Sequence, residues 1–306
     1  MNNKKDNSPI TTNSLKAWVL AARPKTLTGA ATPVMIGASL ATVDAAWHPQ
    51  LIPMLLCFLF AFIMQIDANF VNDYFDFKRG NDDETRLGPK RACSEGWVTP
   101  GAMQWAIGLT TVLACMVGLP LVIYGGWQMI LIGVLCVVFC FLYTTWLSYK
   151  GLGDILVLVF FGIVPVMLTY YLCLPAGSQR FTWEAFATSV ACGLVVDNLL
   201  IVNNFRDIDN DRRAGKVTLV VRLGAEWSLR LYRDLGMAAC LIGLVFYVCH
   251  HQAACFFPVI YLTLHMATLR EMERIRKGRQ LNKVLGLTAR NIFIYGLCVA
   301  IGFLVS

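Results

Sequence analysis

Two short acidic segments contain the residues of this chain that could bind a metal ion. The first reads Asn-Asp-Tyr-Phe-Asp at 72–76, and the second reads Asn-Asn-Phe-Arg-Asp-Ile-Asp-Asn-Asp at 203–211. Each segment lies at the end of a long apolar run. Burying a charged side chain in the hydrocarbon of a membrane costs about 3 kcal/mol or more, so charged residues in such runs are functional candidates. Carboxylate and amide oxygens suit Mg²⁺, which also takes oxygens from a substrate phosphate. The two segments therefore predict a divided Mg²⁺ site.

Helical spacing places the members of each segment on one face. The polar residues of the first segment stand at i, i+3, i+4 and i+7: Asn69, Asn72, Asp73 and Asp76. Those of the second segment are four residues apart: Asn203, Asp207 and Asp211. Residues at these spacings are neighbours on a helix surface, so each segment predicts one polar face. Asp209 falls off that face and is expected to be solvated.

Basic residues accompany both acidic segments. The loops 78–91 and 206–222 are rich in Lys and Arg. Carboxylates and cations around one cavity suit a polyanion that is bound through metal bridges, with Arg and Lys on its remaining oxygens. An apolar pocket beneath such a site favours a lipid diphosphate, whose ionisation gives an allylic cation that aromatic faces stabilise. Membrane topology explains any single basic residue in these loops about equally well.

The elements that must position these segments are membrane helices. Of the 306 residues, 57% are hydrophobic and 15% are charged, whereas soluble proteins carry about 25% charge. Apolar runs of about 20 residues span a bilayer, and nine are expected: 26–46, 51–77, 101–124, 127–147, 153–174, 183–206, 228–249, 252–271 and 287–305. We predict an all-α protein with a disordered cytoplasmic tail over 1–14 and one transmembrane domain over 15–306.

The basic residues also predict the orientation. With the N-terminus in the cytoplasm, Arg180 is the only Lys or Arg of the 26 that falls in an external loop. This asymmetry follows the positive-inside rule and puts the C-terminus outside and both acidic segments on the cytoplasmic side. The net charge of +7 is divided among separate loops, which argues against nucleic-acid binding and fits the anionic inner leaflet of a membrane. The 11 cysteines have no metal-ligand spacing and are expected to act as small hydrophobic residues.

With both acidic segments in view, the chain resembles the UbiA superfamily of intramembrane aromatic prenyltransferases. The resemblance runs from Arg-Pro-Lys-Thr at 23–26, through both segments, to Thr-Ala at 288–289. Several stretches are similar to the 1,4-dihydroxy-2-naphthoate branch of menaquinone synthesis, including Arg-Leu-Gly-Pro at 86–89 and Gly-Leu-Gly-Asp at 151–154. The broad family's first motif, NDxxDxxxD, ends in a third acid where this chain has Gly80, so Asp82 or Asp83 would have to substitute.

The resemblance implies nine helices around a central cavity in a bacterial cytoplasmic (inner) membrane. It also implies that a polyprenyl diphosphate alkylates 1,4-dihydroxy-2-naphthoate with loss of carbon dioxide and diphosphate. The residues implied to hold Mg²⁺ and diphosphate are Asn72, Asp76, Asp207 and Asp211, with support from Asp82 as a metal ligand and from Asp73 in catalysis. The residues implied to bind diphosphate oxygens or neighbouring substrate atoms are Lys150, Asn203 and Arg206. Because a naphthoate carboxylate is costly to bury unpaired, Arg86 and Lys90 are candidates to clamp it.

Two other functions remain open at this stage. One is the same fold with another aromatic acceptor, such as 4-hydroxybenzoate. The other is a cation-coupled transporter, although transporter sites usually lie near the bilayer midplane in broken helices, and both acidic segments here end unbroken runs. Asp67 and Asp197, deeper in two of the predicted helices, match no family motif and are read as pocket residues or as locally paired acids.

Overall fold

The computed structural model describes residues 10–80 and 86–306, and within these ranges it contains nine helices long and apolar enough to cross a membrane. In chain order, α1 to α9 are Leu15–Asp44, Leu51–Arg79, Pro100–Gly125, Gln128–Thr145, Gly153–Cys173, Trp183–Arg206, Ala225–Val248, Gln252–Ile275 and Leu281–Val305. The predicted helix number and the all-α class are confirmed. The orientation in the membrane stays a prediction.

Several of the nine helices are built from shorter pieces. Helix α1 consists of Leu15–Ala22, a 3₁₀ turn at Pro24–Thr26 and Leu27–Asp44. Helix α3 consists of Pro100–Gly118, Leu119–Leu121 and Val122–Gly125. Helix α5 consists of Gly153–Leu158, a π turn at Val159–Ile163 and Val164–Cys173. The pieces of α7 are Ala225–Ile242 and Leu244–Val248, and those of α8 are Gln252–Phe256 and Val259–Ile275. Short helical segments at Leu147–Lys150, Ile208–Arg213 and Leu219–Leu223 lie between the membrane helices.

The first helix starts earlier than the sequence predicts. Ser14 caps a helix that begins at Leu15, and its hydroxyl accepts a hydrogen bond from the amide of Ala17. Arg23 then adopts a left-handed conformation with φ of 50° and separates this short helix from the rest of α1. The short helix packs on α2, with the Trp18 and Phe70 rings 5.7 Å apart. This packing is a tertiary contact, which an apolar-run count does not detect.

The end of the predicted disordered tail is ordered. Residues 1–9 lie outside the described residues, but the Thr12 hydroxyl donates to the Gly96 carbonyl at 2.9 Å. The Asn13 amide donates to the Trp97 carbonyl at 2.7 Å. The predicted tail is therefore wrong over Thr12 and Asn13, because a loop distant in sequence supplies partners for these residues.

Small residues allow the helices to approach closely. A Cβ added at Gly162 of α5 would lie 2.6 Å from the Cα of Gly193 in α6, so only glycines fit at this crossing. Gly37 of α1 lies similarly close to the Val166 carbonyl of α5. Membrane helices lack a hydrophobic drive to associate and depend on such packing. The α5–α6 crossing is important for function because both helices line the cavity described next.

Candidate active site

A cavity of about 540 Å³ lies among α1 to α6. Most of its lining is apolar, and aromatic rings project from three helices, including Phe60, Phe139, Tyr143 and Phe160. The rings of Phe139 in α4 and Phe160 in α5 lie 5.2 Å apart and bridge these two helices. The charged lining is three arginines, and the first residue of each acidic segment lies on the same wall. The polar lining is Arg23, Thr26, Gln65, Asn72, Arg86, Arg91, Thr169 and Asn203. One end of the cavity is therefore suited to a charged group and the remainder to a hydrocarbon chain.

The first acidic segment reaches the cavity through Asn72. Its side-chain oxygen accepts a hydrogen bond from the Thr144 hydroxyl of α4 at 2.7 Å. One turn later, Asp76 accepts from the Arg91 guanidinium at 2.7 Å. Arg91 is 8% exposed and lines the cavity. The loop that follows α2 thus returns a cation to the carboxylate at the end of that helix.

Asp73 anchors this returning loop. It is 1% exposed, and its two oxygens accept the backbone amides of Ala92 and Cys93, each at 2.9 Å. An Arg23 nitrogen lies 3.7 Å from the same carboxylate. Because both oxygens are engaged by backbone, the contacts of Asp73 explain the position of Arg91. Its predicted part in catalysis stays a prediction.

The second acidic segment is organised by Arg206. This guanidinium donates to both oxygens of Asp207, at 2.9 and 2.6 Å, and to the side-chain oxygen of Asn203 at 2.7 Å. The Arg206 side chain is 2% exposed. Such a bidentate, charge-assisted pair fixes both partners, and Asn203 beside it lines the cavity.

Among the carboxylates of this segment, Asp211 is best suited to coordinate an added cation, because one of its oxygens has no hydrogen-bond partner. Its Oδ1 lies 3.6 Å from the Lys216 ammonium, whereas its Oδ2 is buried without a hydrogen-bond partner. Burial raises the pKa of Asp211 to about 6; Lys216 opposes the shift and the charge of Asp207 adds to it. Asp209, expected to be solvated, is largely exposed and lies 3.7 Å from Lys277.

The Arg-Leu-Gly-Pro stretch joins the two segments. A Cβ at Gly88 would lie 2.8 Å from the Arg206 guanidinium, so the glycine lets the loop lie directly on that side chain. Asn282 of α9 accepts from Arg206 at 2.8 Å and donates to the Leu87 carbonyl at 2.8 Å. The loop after α2 is thereby held over the end of α6, and Arg86 is brought to the cavity wall.

Two predicted substrate ligands lie elsewhere. Lys90 pairs with Glu95 at 2.6 Å and its side chain is 68% exposed. The Lys150 ammonium lies 3.9 Å from the centroid of the exposed Trp146 ring. Neither lysine lines the cavity, and Asp82 lies outside the described residues. The cavity wall instead contains Arg23 and Arg91, which the sequence did not single out. Arg91 lies in a loop, which has no periodicity to show which side chain points inward, and Arg23 lies at a break between two helical pieces of α1.

The oxygen ligands fit a Mg²⁺ ion that is shared with a substrate. In residues 10–80 and 86–306, no three His, Cys, Asp or Glu side chains converge on one point. Mg²⁺ commonly takes one or two carboxylates and completes its shell with water and substrate phosphate. The unpartnered, buried Oδ2 of Asp211, with Asp76, Asp207 and the amides of Asn72 and Asn203, provides oxygen ligands of this kind.

Asp67, which matched no motif, is paired locally. It is fully buried in α2 and accepts from the hydroxyls of Thr110 and Thr111 in α3, at 2.5 and 3.1 Å. Asp197 in α6 differs, because its Oδ1 is buried without a hydrogen-bond partner. The two unexplained acids therefore have different surroundings.

Comparison with known proteins supports one family. The model of the UbiA prenyltransferase family matches residues 30–304. The chain is 34% identical over 292 residues to the 1,4-dihydroxy-2-naphthoate octaprenyltransferase of Mycobacterium tuberculosis, covering 94% of this chain and 96% of the relative. It is 37% identical over 238 residues to the Escherichia coli protein of the same name, covering 74% of this chain and 75% of the relative.

Solved structures show the same fold. The structure of a UbiA homologue from Aeropyrum pernix superposes with a TM-score of 0.69 at 15% identity, covering 92% of this chain and 98% of the other. A UbiA homologue from Archaeoglobus fulgidus, bound to DMAPP and Mg²⁺, superposes with a TM-score of 0.59 at 14% identity, covering 93% and 99%. With the family match extending over most of the chain, this protein belongs to the UbiA prenyltransferase family.

Proposed function

We propose that this protein transfers a polyprenyl group from polyprenyl diphosphate to 1,4-dihydroxy-2-naphthoate, with loss of carbon dioxide and diphosphate. The observation that carries the proposal is one cavity with a charged end, between the two acidic segments, and a long apolar body. The curated names of relatives at 34% and 37% identity support the acceptor. We place the enzyme in the bacterial cytoplasmic membrane, with its charged end toward the cytoplasm.

The charged end would bind the diphosphate. Asn72, Asp76, Asp207 and Asp211 would hold Mg²⁺, with Asn203 beside them. When bound, the ion neutralises charge on the diphosphate oxygens, and the homologue bound to DMAPP and Mg²⁺ supports this choice of metal. Asp82 remains a candidate ligand. Arg91 and Arg206, already beside these carboxylates, are placed to donate to the remaining diphosphate oxygens.

The apolar body would protect the allylic cation. Loss of diphosphate leaves positive charge on the prenyl group, which water would capture. The faces of Phe139, Tyr143 and Phe160 along the wall can stabilise that charge through their ring electrons. The same wall excludes water, so the aromatic acceptor becomes the available nucleophile.

The acceptor carboxylate needs a cation in so apolar a cavity, because an unpaired buried carboxylate is costly. Of the two residues that the sequence suggested, Arg86 lies on the wall, whereas Lys90 pairs with Glu95 outside it. We therefore assign the clamp to Arg86, with Arg23 of α1 as its neighbour on the wall. This placement holds the ring near the charged end, where the prenyl carbon is released.

The deciding experiment is turnover by the purified protein. With polyprenyl diphosphate and Mg²⁺, it should prenylate 1,4-dihydroxy-2-naphthoate with stoichiometric release of carbon dioxide and leave 4-hydroxybenzoate unreacted. EDTA should abolish the reaction and Mg²⁺ should restore it. Reaction of 4-hydroxybenzoate alone would show that the acceptor is wrong, and full turnover in metal-free buffer would rule out the metal. Cation uptake into vesicles without any prenylated product would favour a transporter.

A further inference from the structure

A second, smaller cavity lies behind the wall of the main one. It measures about 10 Å³, which is room for about one water molecule. Its polar lining comes from three regions of the chain: Ser148, Asp154, Asn204, Lys216 and Thr218. Tyr143 and Leu200 line both cavities. The Tyr143 side chain is thus the polar group that separates the substrate space from this small polar space.

Asp154 is the acid of the small cavity, and it is incompletely paired. It stands in the first turn of α5, and its Oδ1 is buried without a hydrogen-bond partner. The Tyr143 hydroxyl lies 3.9 Å from the position that a Cβ would occupy at the preceding Gly153. A water molecule in the small cavity would therefore lie among the side chains of Asp154 and Tyr143.

Two buried acids of α2 have hydrogen-bond donors of a kind that the Oδ1 of Asp154 lacks. Asp67 accepts two threonine hydroxyls, and Asp73 accepts two backbone amides. A buried polar atom without a partner is costly, so the unpaired oxygens of Asp154, Asp197 and Asp211 each call for an explanation. Asp154 differs from the other two in lining the small cavity, which has room for a water molecule that could carry a proton.

We propose that Tyr143 and Asp154 form a proton relay, which accepts the hydroxyl proton of the aromatic acceptor and later returns it. The proposal rests on the function proposed above. Tyr143, on the cavity wall, would contact the acceptor hydroxyl. Asp154 would act through Tyr143 and one water. The proton on Tyr143 moves to Asp154 as Tyr143 takes the proton of the acceptor.

The chemistry balances without any additional reactant. The acceptor O–H bond breaks and its electron pair moves into the ring. The ring carbon that carries the carboxylate bonds to the prenyl carbon, and the C–O bond to diphosphate breaks with its electron pair leaving on diphosphate. The result is a β-keto carboxylate. It loses carbon dioxide, its electron pair restores the aromatic ring, and the oxygen recovers the proton that Asp154 held.

Several other charged or titratable groups face this relay. The other acids around Tyr143 are Asp76 on α2, Asp197 on α6 and Asp211 after α6, and Lys216 lines the small cavity. The pH dependence of kcat in the wild type therefore reflects several groups. The part that is due to Asp154 is the difference between the kcat profile of the wild type and that of a variant changed at Asp154 alone.

The test compares Asp154→Asn and Tyr143→Phe with the wild type between about pH 5.5 and 9. Each variant should lower kcat about 100-fold or more at neutral pH, with the acceptor KM changed less than about threefold. The double variant should be no slower than the slower single one, because the two act in one step. The kcat of Asp154→Asn should rise toward the wild-type value as the pH approaches the pKa of the acceptor hydroxyl. With a ring-halogenated acceptor, whose hydroxyl is more acidic, the kcat of this variant should rise at a lower pH.

The controls separate this relay from a structural effect. Asp234→Asn removes an exposed carboxylate beside Arg233 and should keep the wild-type profile. The relay would be overturned if Asp154→Asn kept the wild-type kcat. It would also be overturned if the loss of kcat were the same at every pH, both with the natural acceptor and with the halogenated one. If Asp154→Asn does not fold, Tyr143→Phe decides by the same criteria, because it removes one oxygen only. Failure of the wild type to make any product would instead refute the proposed function.

Discussion

At the scale of single residues, the acids of the two segments are paired with cations of the protein. Asp76 is 2.7 Å from Arg91, Asp207 is 2.6 Å from Arg206, and Asp211 is 3.6 Å from Lys216. Each of these cations lies beside a carboxylate that we propose as a metal ligand. If a metal and a diphosphate bind as proposed, we expect the carboxylates to turn to the metal and the Arg and Lys side chains to turn to the phosphate.

The first prediction uses two neighbouring cations. Arg91→Gln should lower kcat/KM for the polyprenyl diphosphate by about 100-fold, since it removes a charge-assisted donor of about 1.5–3 kcal/mol from the cavity wall. Lys90→Gln is the matched control, because its ammonium is exposed and pairs with Glu95, and it should change kcat/KM by less than about threefold. Steady-state kinetics with the diphosphate varied would check both, and the reverse ranking would contradict the placement of Arg91.

The second prediction treats the two acidic segments as one unit. Asp76→Ala and Asp207→Ala should each remove nearly all activity, because both carboxylates serve a single ionisation step. The double variant should be little slower than either single variant, as is usual for residues that act together. Single-turnover rates would measure this, and multiplicative losses would mean that the two carboxylates serve separate steps.

The third prediction concerns pH and Asp211. The folded carboxyl has its pKa raised to about 6, above the usual value of about 3.9, so the folded state holds a proton that the unfolded chain releases. Stability in metal-free buffer should therefore fall as the pH rises from about 4 to about 6, by about 2 kcal/mol. Asp211→Asn, a neutral isostere, should raise Tm at about pH 8 and leave it unchanged at about pH 4. A rise of equal size at both pH values would contradict this.

At the scale of elements, the positions of the site residues depend on how α5 crosses α6. The π turn at Val159–Ile163 lies at the crossing, where Gly162 and Gly193 bring the two backbones together. Asp154 of α5 and Asn203 of α6 lie on the two helices that this contact joins, and Tyr143 of α4 lines the small cavity together with Asp154. The crossing therefore couples helix packing to the geometry of the cavity wall.

The fourth prediction tests that crossing. Gly193→Val should destabilise the protein by about 1–3 kcal/mol, because a Cβ at this position would already meet Leu158 Cδ1 at 2.7 Å and the Leu158 carbonyl at 3.0 Å. Gly108→Ala in α3 is the control, since a Cβ there meets nothing within 4 Å. Thermal unfolding in detergent would measure the difference, and equal Tm values for the two variants would show that the crossing tolerates side chains.

At the scale of the whole molecule, the nine helices and the distribution of basic residues predict the orientation in the membrane. An odd number of spans would place the ends of the chain on opposite sides, and the bias of Lys and Arg predicts a cytoplasmic N-terminus. With this orientation, we expect the charged end of the cavity, at Arg23, Asn72 and Asn203, to open to the cytoplasm, where soluble substrates are available.

The fifth prediction follows from this orientation. We expect green fluorescent protein fused after Ser306 to be dark in a bacterial host, because it does not fold after export through the Sec pathway. Alkaline phosphatase fused at the same point should be active, because it folds only after export. A fusion after Lys150, between α4 and α5, should give the opposite result, since an even number of spans precedes it. Fluorescence at Ser306 with inactive phosphatase would reverse the predicted topology.

The sequence by itself determined the helices, the class and the family. A span of about 20 apolar residues must satisfy its backbone internally in a membrane, so its length and composition suffice to predict a helix. The two acidic segments are equally local, since their helical spacing puts Asn72 with Asp76 and Asn203 with Asp207. These features need no knowledge of which helices are neighbours.

Only the tertiary structure decided which loop side chains reach the cavity. Arg91 faces Asp76 while the adjacent Lys90 faces outward, because Asp73 binds the backbone amides that follow Arg91 and Asn282 of α9 holds the Leu87 carbonyl. These contacts join positions 19 and 195 residues apart. A loop has no periodicity to predict them, so its inward-facing residues are determined by distant partners rather than by its own sequence.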